Sequence, residues 1–194
     1  KEKLIKIGIL YEGAGYHLAV PNYIPKDTLN TVLDLRKQKV KGKINKISII
    51  KSDAELLLQS KTLLNQYNLS KDGFSIQPLP KSELVSLINS LIEKQEWFVV
   101  GLRRPSFLIK MGNLRTLHDP KVIYVANANA HLLANKKSWN YIKEPMQEVL
   151  KKIEISVKAI EDLDYALSVR KMAVHNVARR WLASRPYTVE YWLE

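Results

Sequence analysis

Residues 44–67, INKISIIKSDAELLLQSKTLLNQY, join an alternating apolar segment directly to an amphipathic one. Residues 44–50 are rich in β-branched side chains that alternate with other residues, a pattern typical of a strand. After them, apolar side chains recur at the three- and four-residue spacing of one helix face, at Leu56, Leu57, Leu63, Leu64 and Tyr67. A strand that passes through a short connection into a helix is the repeating unit of parallel α/β sheets.

The same order continues to residue 102. Residues 74–79 predict a second strand, residues 82–95 carry apolar side chains at helical spacing, and residues 97–102 predict a third strand. Residues 44–102 therefore predict a β-α-β-α-β segment with a parallel sheet, which is an α/β fold. In such sheets, ligands bind beyond the carboxyl ends of the strands, where the N-termini of helices point.

Two connections at that edge are candidates for a binding site. Ser52 is followed three residues later by Glu55, which is the signature of a capping box at the start of a helix. Such a start presents free backbone N–H groups, which either bind a carboxylate or are simply capped and hydrated. At the second connection, Arg103 and Arg104 either bind an anion or form a solvated strand end.

The segments around this core predict shorter elements. The sequence favours strands over 4–11 and 16–20 with a turn at 12–15, a short helix over 28–35, a basic crossing segment over 36–43, a short strand near 131–133, and helices over roughly 138–152, 156–168, 172–184 and 188–193.

Composition narrows the classes of function. The chain has 194 residues, a formal net charge of +12 and no cysteine, which excludes disulfides and thiolate chemistry. The four histidines lack metal-ligand spacing, and neither a nucleophile elbow nor a phosphate loop is present, so we expect no catalysis and no cofactor. The charge leaves open a basic α/β module that senses a ligand or binds nucleic acid, although no recognisable DNA- or RNA-binding motif supports that alternative.

Five motifs follow one another over residues 13–193. The first two are 15–23 (GYHLAVPNY), similar to G-x-x-x-x-V-P-x-Y, and 52–56 (SDAEL), similar to P-G-A-E-L. The third is 99–107 (VVGLRRPSF), similar to a strand followed by G-W-x-P-x-W or L-W-x-P-x-aromatic, and the fourth is 114–120 (LRTLHDP), similar to L-x-x-L-x-D-P. The fifth is the pair 177–182 (VARRWL) and 189–193 (VEYWL), similar to A-x-x-W-L and V-x-x-W-L. In this order the motifs resemble the extracytoplasmic substrate-binding proteins of ABC importers for glycine betaine, proline betaine and choline.

The resemblance implies a periplasmic-binding-protein-like fold of type II, a Venus flytrap in which two α/β lobes close over a solute. Members of this family carry a further segment ahead of the part that corresponds to residue 1, so we expect this chain to lack much of the first lobe. Residues 1–43 then form part of the first lobe and the crossover, residues 44–134 form a nearly complete second lobe, and residues 135–194 are C-terminal helices returning toward the first lobe.

The resemblance also implies a role and partners. The chain would capture a small solute in an interlobe cleft and deliver it to an ABC permease, without binding nucleic acid. Its location would be extracytoplasmic, either periplasmic or anchored on the outer face of the cytoplasmic membrane.

Carried onto this sequence, the family's binding chemistry selects two groups of residues. Backbone N–H groups at a helix start, here those of Glu55 and Leu56, would meet the solute carboxylate, while aromatic faces hold a quaternary ammonium by cation–π attraction. The predicted ligand-binding residues are Ser52, Asp53, Ala54, Glu55 and Leu56 at the first connection, and Arg103, Pro105, Ser106 and Phe107 at the second.

Arg103 departs from the family pattern. Aligned on Pro105, it stands where the family has the first aromatic residue of the box, and Phe107 stands at the second. A guanidinium beside a trimethylammonium is a like-charge contact that costs on the order of a few kcal/mol in a partly dry cleft. The expected solute is betaine-like or amino-acid-like, and an anionic or zwitterionic one, such as an amino-acid derivative, fits Arg103 better.

Overall fold

The computed structural model describes residues 3–124 and 128–194 of the protein. It contains two compact units. The central unit is Gly15–Ala126, and the terminal unit is Lys1–Ala14 with Asn127–Glu194. The structure combines a sheet with helices, as the predicted α/β class requires.

The central unit is built on the predicted parallel strands. Its elements are the second part of β1 (Leu4–Pro21), α1 (Gln38–Lys41), β2 (Lys46–Ile50), α2 (Ala54–Gln66), β3 (Ser75–Leu79), α3 (Lys81–Glu93), β4 (Val99–Arg104), α4 (Phe107–Met111) and β5 (Leu114–Thr116), with short 3₁₀ helices at Val32–Arg36 and Leu69–Asp72. Strand β2 lies between β3 and β4 and is parallel to both, with Ile47 opposite Ile76 and Val99. The predicted β-α-β-α-β segment is thereby confirmed.

Strand β1 differs from the prediction. It is one strand of 18 residues, so the predicted turn at 12–15 between two short strands is wrong. Gly13 lies at the register shift between Tyr11 and Ala14 and has a φ of 74°, which lets the extended chain form a bulge while its pairing continues. In the central unit β1 runs antiparallel to β4 and β5, giving the strand order β3-β2-β4-β1-β5.

Residues 28–43 also differ from the expectation. Instead of a helix over 28–35, a 3₁₀ helix covers Val32–Arg36, and α1 follows within the segment expected to cross between lobes. Arg36 Nε and Lys41 Nζ lie 2.8 and 2.5 Å from the Asp72 carboxylate, and the fully buried Val40 anchors the segment in the core. This basic stretch therefore packs inside the central unit.

The boundaries of the compact units consequently differ from the predicted domain boundaries. The units divide at residues 14 and 126, whereas the sequence suggested divisions at 43 and 134. Residues 15–43 lie in one unit with residues 44–126, because β1 pairs with β4. As a division of the whole protein into lobes, the segments 1–43, 44–134 and 135–194 remain a prediction.

The terminal unit contains the first part of β1 and the C-terminal elements. β1 pairs antiparallel with β6 (Ala128–Asn135), which is followed by α5 (Lys136–Trp139), α6 (Glu144–Lys152), α7 (Val157–Ser168), α8 (Val174–Ala183) and α9 (Pro186–Leu193). The predicted helix over 138–152 is two helices, because Pro145 lacks an N–H group and is accommodated only in the first turn of α6. Trp181 and Trp192 stack with ring centroids 6.0 Å apart, joining α8 to α9.

His17 is a partly buried titratable group in the central unit. It lies on β1 opposite Leu102, and its Nε2 atom is buried without a hydrogen-bond partner among the described residues. Burial, and then the positive charge of Arg104, lowers the pKa of His17 to about 4. The folded protein therefore holds this imidazole neutral at a pH where the unfolded chain protonates it.

This predicts a loss of stability in mild acid. The unfolded state takes up a proton at His17 near the ordinary pKa of 6.5, whereas the folded state does so only near 4. The neutral imidazole therefore contributes fully to the free energy of unfolding above pH 6.5, and this contribution declines as the pH falls toward 4. We expect His17→Gln to flatten the fall in melting temperature between pH 7 and pH 5, measured by circular dichroism. The exposed His118→Gln should keep the wild-type slope. A His17→Gln slope equal to that of the wild type would contradict the prediction.

Candidate functional site

A concavity of about 550 Å³ opens in the central unit where the parallel strands end. Ile50 is the last residue of β2, Lys81 is the first residue of α3 after β3, and Arg103 lies near the end of β4. The concavity is lined by Ile50, Ser52, Asp53, Ala54, Glu55, Lys81 and Arg103. It therefore lies at the sheet edge where α/β folds bind ligands, and charges of both signs line it.

Asp53, rather than Ser52, caps helix α2. Its side-chain Oδ1 accepts a hydrogen bond from the backbone N–H of Leu56 at 3.0 Å. Glu55 does not turn back to complete the predicted capping box, because its Oε1 accepts from Gln59 Nε2 at 2.8 Å. The prediction of a Ser52–Glu55 box is therefore wrong, and the Leu56 N–H expected to meet a solute is already bonded to Asp53. An aspartate caps as well as a serine does, so the local sequence allowed either register.

Arg103 is held by two neighbours. Strand pairing places Arg103 directly opposite Tyr16, and its Nη2 atom donates to the Tyr16 hydroxyl at 2.5 Å. The guanidinium carbon lies over the Tyr16 ring, 5.0 Å from its centroid, in a cation–π contact. The same Nη2 atom is 3.4 Å from the carboxylate of Asp53. Arg103, Tyr16 and Asp53 thus form a cluster, named here the Arg103 clasp.

The environment keeps Tyr16 and Arg103 each in one protonation state near neutral pH. Burial raises the pKa of the Tyr16 phenol, and the negative charge of Asp53 raises it further against the opposing effect of Arg103. Burial by itself lowers the pKa of the Arg103 guanidinium, but Asp53 and Tyr16 outweigh this, and the net shift is upward. The phenol therefore stays protonated while the guanidinium stays charged.

Lys81 adds a second cation to the concavity. Lys81 begins α3, and its Nζ atom lies 4.7 Å from the ring centroid of Phe107. Phe107 itself is only 5% exposed, so it supports Lys81 rather than offering an open aromatic wall. Ser106 caps α4, and its Oγ accepts from the N–H of Leu108 at 3.3 Å.

The structure brings together part of the predicted set. Ser52, Asp53, Ala54, Glu55 and Arg103 line the concavity, whereas Leu56, Pro105, Ser106 and Phe107 do not. Leu56 is 1% exposed and belongs to the core.

Sequence reasoning missed Ile50, Lys81 and Tyr16. The general rule that ligands bind at strand ends would have pointed to Lys81, since it directly follows β3. Nothing local points to Tyr16, which reaches Arg103 only through the pairing of β1 with β4.

Two further properties concern only the part of the chain that the structure describes. In residues 3–124 and 128–194, no cluster of three or more metal-ligating side chains could hold a metal ion. The helices in these ranges are all too short or too polar to cross a membrane.

The chain shares its fold with solved structures of solute-binding proteins. The chain superposes on lactococcal OpuAC, in its closed form with glycine betaine, with a TM-score of 0.72 at 21% identity, covering 98% of this chain and 71% of that one. It superposes on the glycine betaine/L-proline-binding protein ProX of Borrelia burgdorferi with a TM-score of 0.68 at 22% identity, covering 99% and 70%. These similarities confirm the predicted periplasmic-binding-protein class of fold.

The family of the chain is identified from its sequence. Residues 1–184 match the substrate-binding domain of the ABC-type glycine betaine transport system, and the chain belongs to this family, which is one of transporter components rather than enzymes. The glycine betaine/carnitine transport binding protein GbuC of Listeria monocytogenes is 21% identical over 150 residues, covering 76% of this chain. The chain spans about half the length of this curated relative, 49%. The resemblance seen in the motifs is confirmed, and it favours solute binding over the nucleic-acid alternative.

Proposed function

We propose that this chain is the solute-binding component of an ABC importer and that it captures a small zwitterionic solute. The observation that carries the proposal is the concavity at the ends of β2, β3 and β4, in a chain of this family. Two cations, Lys81 and Arg103, can meet a solute carboxylate, and two carboxylates, Asp53 and Glu55, can meet its ammonium group. The relatives point to the same class of solute, because the lactococcal structure holds glycine betaine.

The importer role implies a permease partner and an extracytoplasmic location, and we propose both for this protein. The support is the family, since a substrate-binding domain of such a system serves a membrane transporter. Protease digestion of cells with an intact cytoplasmic membrane, after permeabilisation of any outer membrane, tests the location by immunodetection. Loss of the protein from these cells is expected, and full protection until the cytoplasmic membrane is lysed would contradict the proposal.

Binding to the concavity is testable by isothermal titration calorimetry with the 194-residue chain and a panel of carboxylate-bearing zwitterions. Lys81→Ala should weaken the binding of these solutes about tenfold, because a hydrogen bond to a charged group contributes about 1.5 kcal/mol. Lys61, an exposed lysine on α2 outside the concavity, provides the matched control, and Lys61→Ala should leave the affinity unchanged.

Two results would contradict this proposal. If the wild-type chain binds none of the zwitterions, the solute-binding function itself is wrong. If it binds them and Lys81→Ala has no more effect than Lys61→Ala, the solute binds elsewhere.

A further inference from the structure

We propose that Arg103 determines specificity at the concavity, because its guanidinium takes the place on the Tyr16 ring that a cationic solute group would occupy. The solute would then carry an ammonium group with N–H bonds, as a free amino acid does, rather than a fully methylated one. This inference rests on the proposed solute-binding function and concerns the same site.

The Tyr16 ring has little surface left for a ligand. The residue is 9% exposed, and the Arg103 guanidinium lies over the ring, 5.0 Å from the centroid. The ring of Tyr124 packs against it at 6.4 Å between centroids. A quaternary ammonium depends on open aromatic faces because it has no N–H group to donate. At Tyr16 the protein supplies the cation itself.

Arg103 is positioned in this place by its partners. Its Nη2 atom donates to the Tyr16 hydroxyl and lies 3.4 Å from the Asp53 carboxylate. Asp53 is held in turn by the N–H of Leu56 at the start of α2. The guanidinium is therefore tied to two different elements, β1 and the α2 cap. Because its charge is fixed at the edge of the concavity, a methylated ammonium group there would meet like charge.

The remaining groups suit a different ligand. A guanidinium has five N–H donors, and the contacts in the clasp engage Nη2. The other donors, with Lys81 across the concavity, can bind a carboxylate in the two-pronged manner that arginine favours. The Asp53 and Glu55 carboxylates accept hydrogen bonds, so an ammonium group with N–H bonds can donate to them, whereas a trimethylammonium group cannot.

The test uses two pairs of solutes that differ only in N-methylation, glycine with glycine betaine and proline with proline betaine. Calorimetry on the 194-residue chain should show the wild type binding the N–H member of each pair at least tenfold more tightly. Arg103→Phe should remove this preference or reverse it, because it deletes the like charge and adds an aromatic face. Arg103→Lys should keep the preference, since the positive charge remains.

Arg36→Phe is the matched control. Arg36 is also an exposed arginine bound to an aspartate, with 48% of its side chain exposed against 59% for Arg103, but it lies outside the concavity. The substitution removes the same charge from the protein and should leave both ratios unchanged. Far-UV circular dichroism verifies that each variant is folded.

The outcomes separate the two proposals. If the wild type binds the methylated member equally or more tightly, or if Arg103→Phe leaves the ratio unchanged, this inference is wrong while the solute-binding function stands. If Arg36→Phe changes the ratios as much as Arg103→Phe does, the effect is one of net charge, and the inference is again wrong. If no solute binds to the wild type or to any variant, the proposed function fails and this inference with it.

Discussion

Leu63→Ala is expected to lower the free energy of unfolding by about 2–5 kcal/mol, the cost of removing a large apolar side chain from a packed core. Leu63 is fully buried on α2 and belongs to the apolar cluster that holds this helix against the sheet. Since α2 begins at the concavity, its packing also positions Asp53. The measurement is urea unfolding monitored by circular dichroism, with the midpoint and slope fitted together.

Leu58 provides the control on the same helix. It is 60% exposed, so Leu58→Ala removes the same atoms from the surface and should change the free energy of unfolding by no more than about 0.5 kcal/mol. Equal losses from the two substitutions would contradict the assignment of the α2 face that packs on the core.

Asp119→Ala should lower the free energy of unfolding by a comparable amount, about 2–4 kcal/mol, because it removes hydrogen bonds. The Asp119 Oδ2 atom accepts from the backbone N–H groups of Ile123 and Tyr124 at 2.7 and 3.0 Å, and Oδ1 accepts from that of Lys121 at 3.2 Å. The Tyr67 hydroxyl also donates to Oδ1. Removing the carboxylate leaves several donors unpaired at once, and each that stays buried costs about 1–3 kcal/mol.

Asp119→Asn separates the loss of hydrogen-bond acceptors from general disruption of the loop. One side-chain oxygen remains in this variant, so we expect a smaller loss of unfolding free energy than in Asp119→Ala. Asp27 is an exposed aspartate whose side chain accepts a hydrogen bond from the neighbouring Thr28 hydroxyl, and Asp27→Ala supplies the baseline. If Asp119→Ala costs no more than Asp27→Ala in the same urea titration, the network around Tyr67 and Tyr124 does not stabilise the protein.

The role of Asp119 also explains one of the motifs. The segment 114–120 was informative about the family, but its aspartate serves the folded loop rather than the concavity. Burial, and then the hydrogen bond to Asp119, raises the pKa of Tyr67 to about 12, so this phenol stays a donor across the physiological range. A motif can thus identify a family while its residues act in stability.

The candidate site was predictable only where its residues are local in sequence. Residues 52–55 follow β2 directly, so the strand-to-helix pattern was enough to place them at a ligand-binding edge. The choice between Ser52 and Asp53 as the cap was not predictable, because both side chains cap a helix well and they are adjacent. For Phe107 the motif misled the prediction. Alignment on the motif suggested an aromatic wall of the site, but the ring is buried by packing.

The sequence by itself determined the β-α-β-α-β order of the central unit and the family, because hydrophobic periodicity and short motifs are properties of neighbouring residues. Only the tertiary structure decided what surrounds Arg103. Its partner Tyr16 is 87 residues away in the chain, and Asp53 is 50 away. These contacts arise from the antiparallel pairing of β1 with β4 and the parallel pairing of β4 with β2, and such long-range pairing leaves no periodic signal in the sequence.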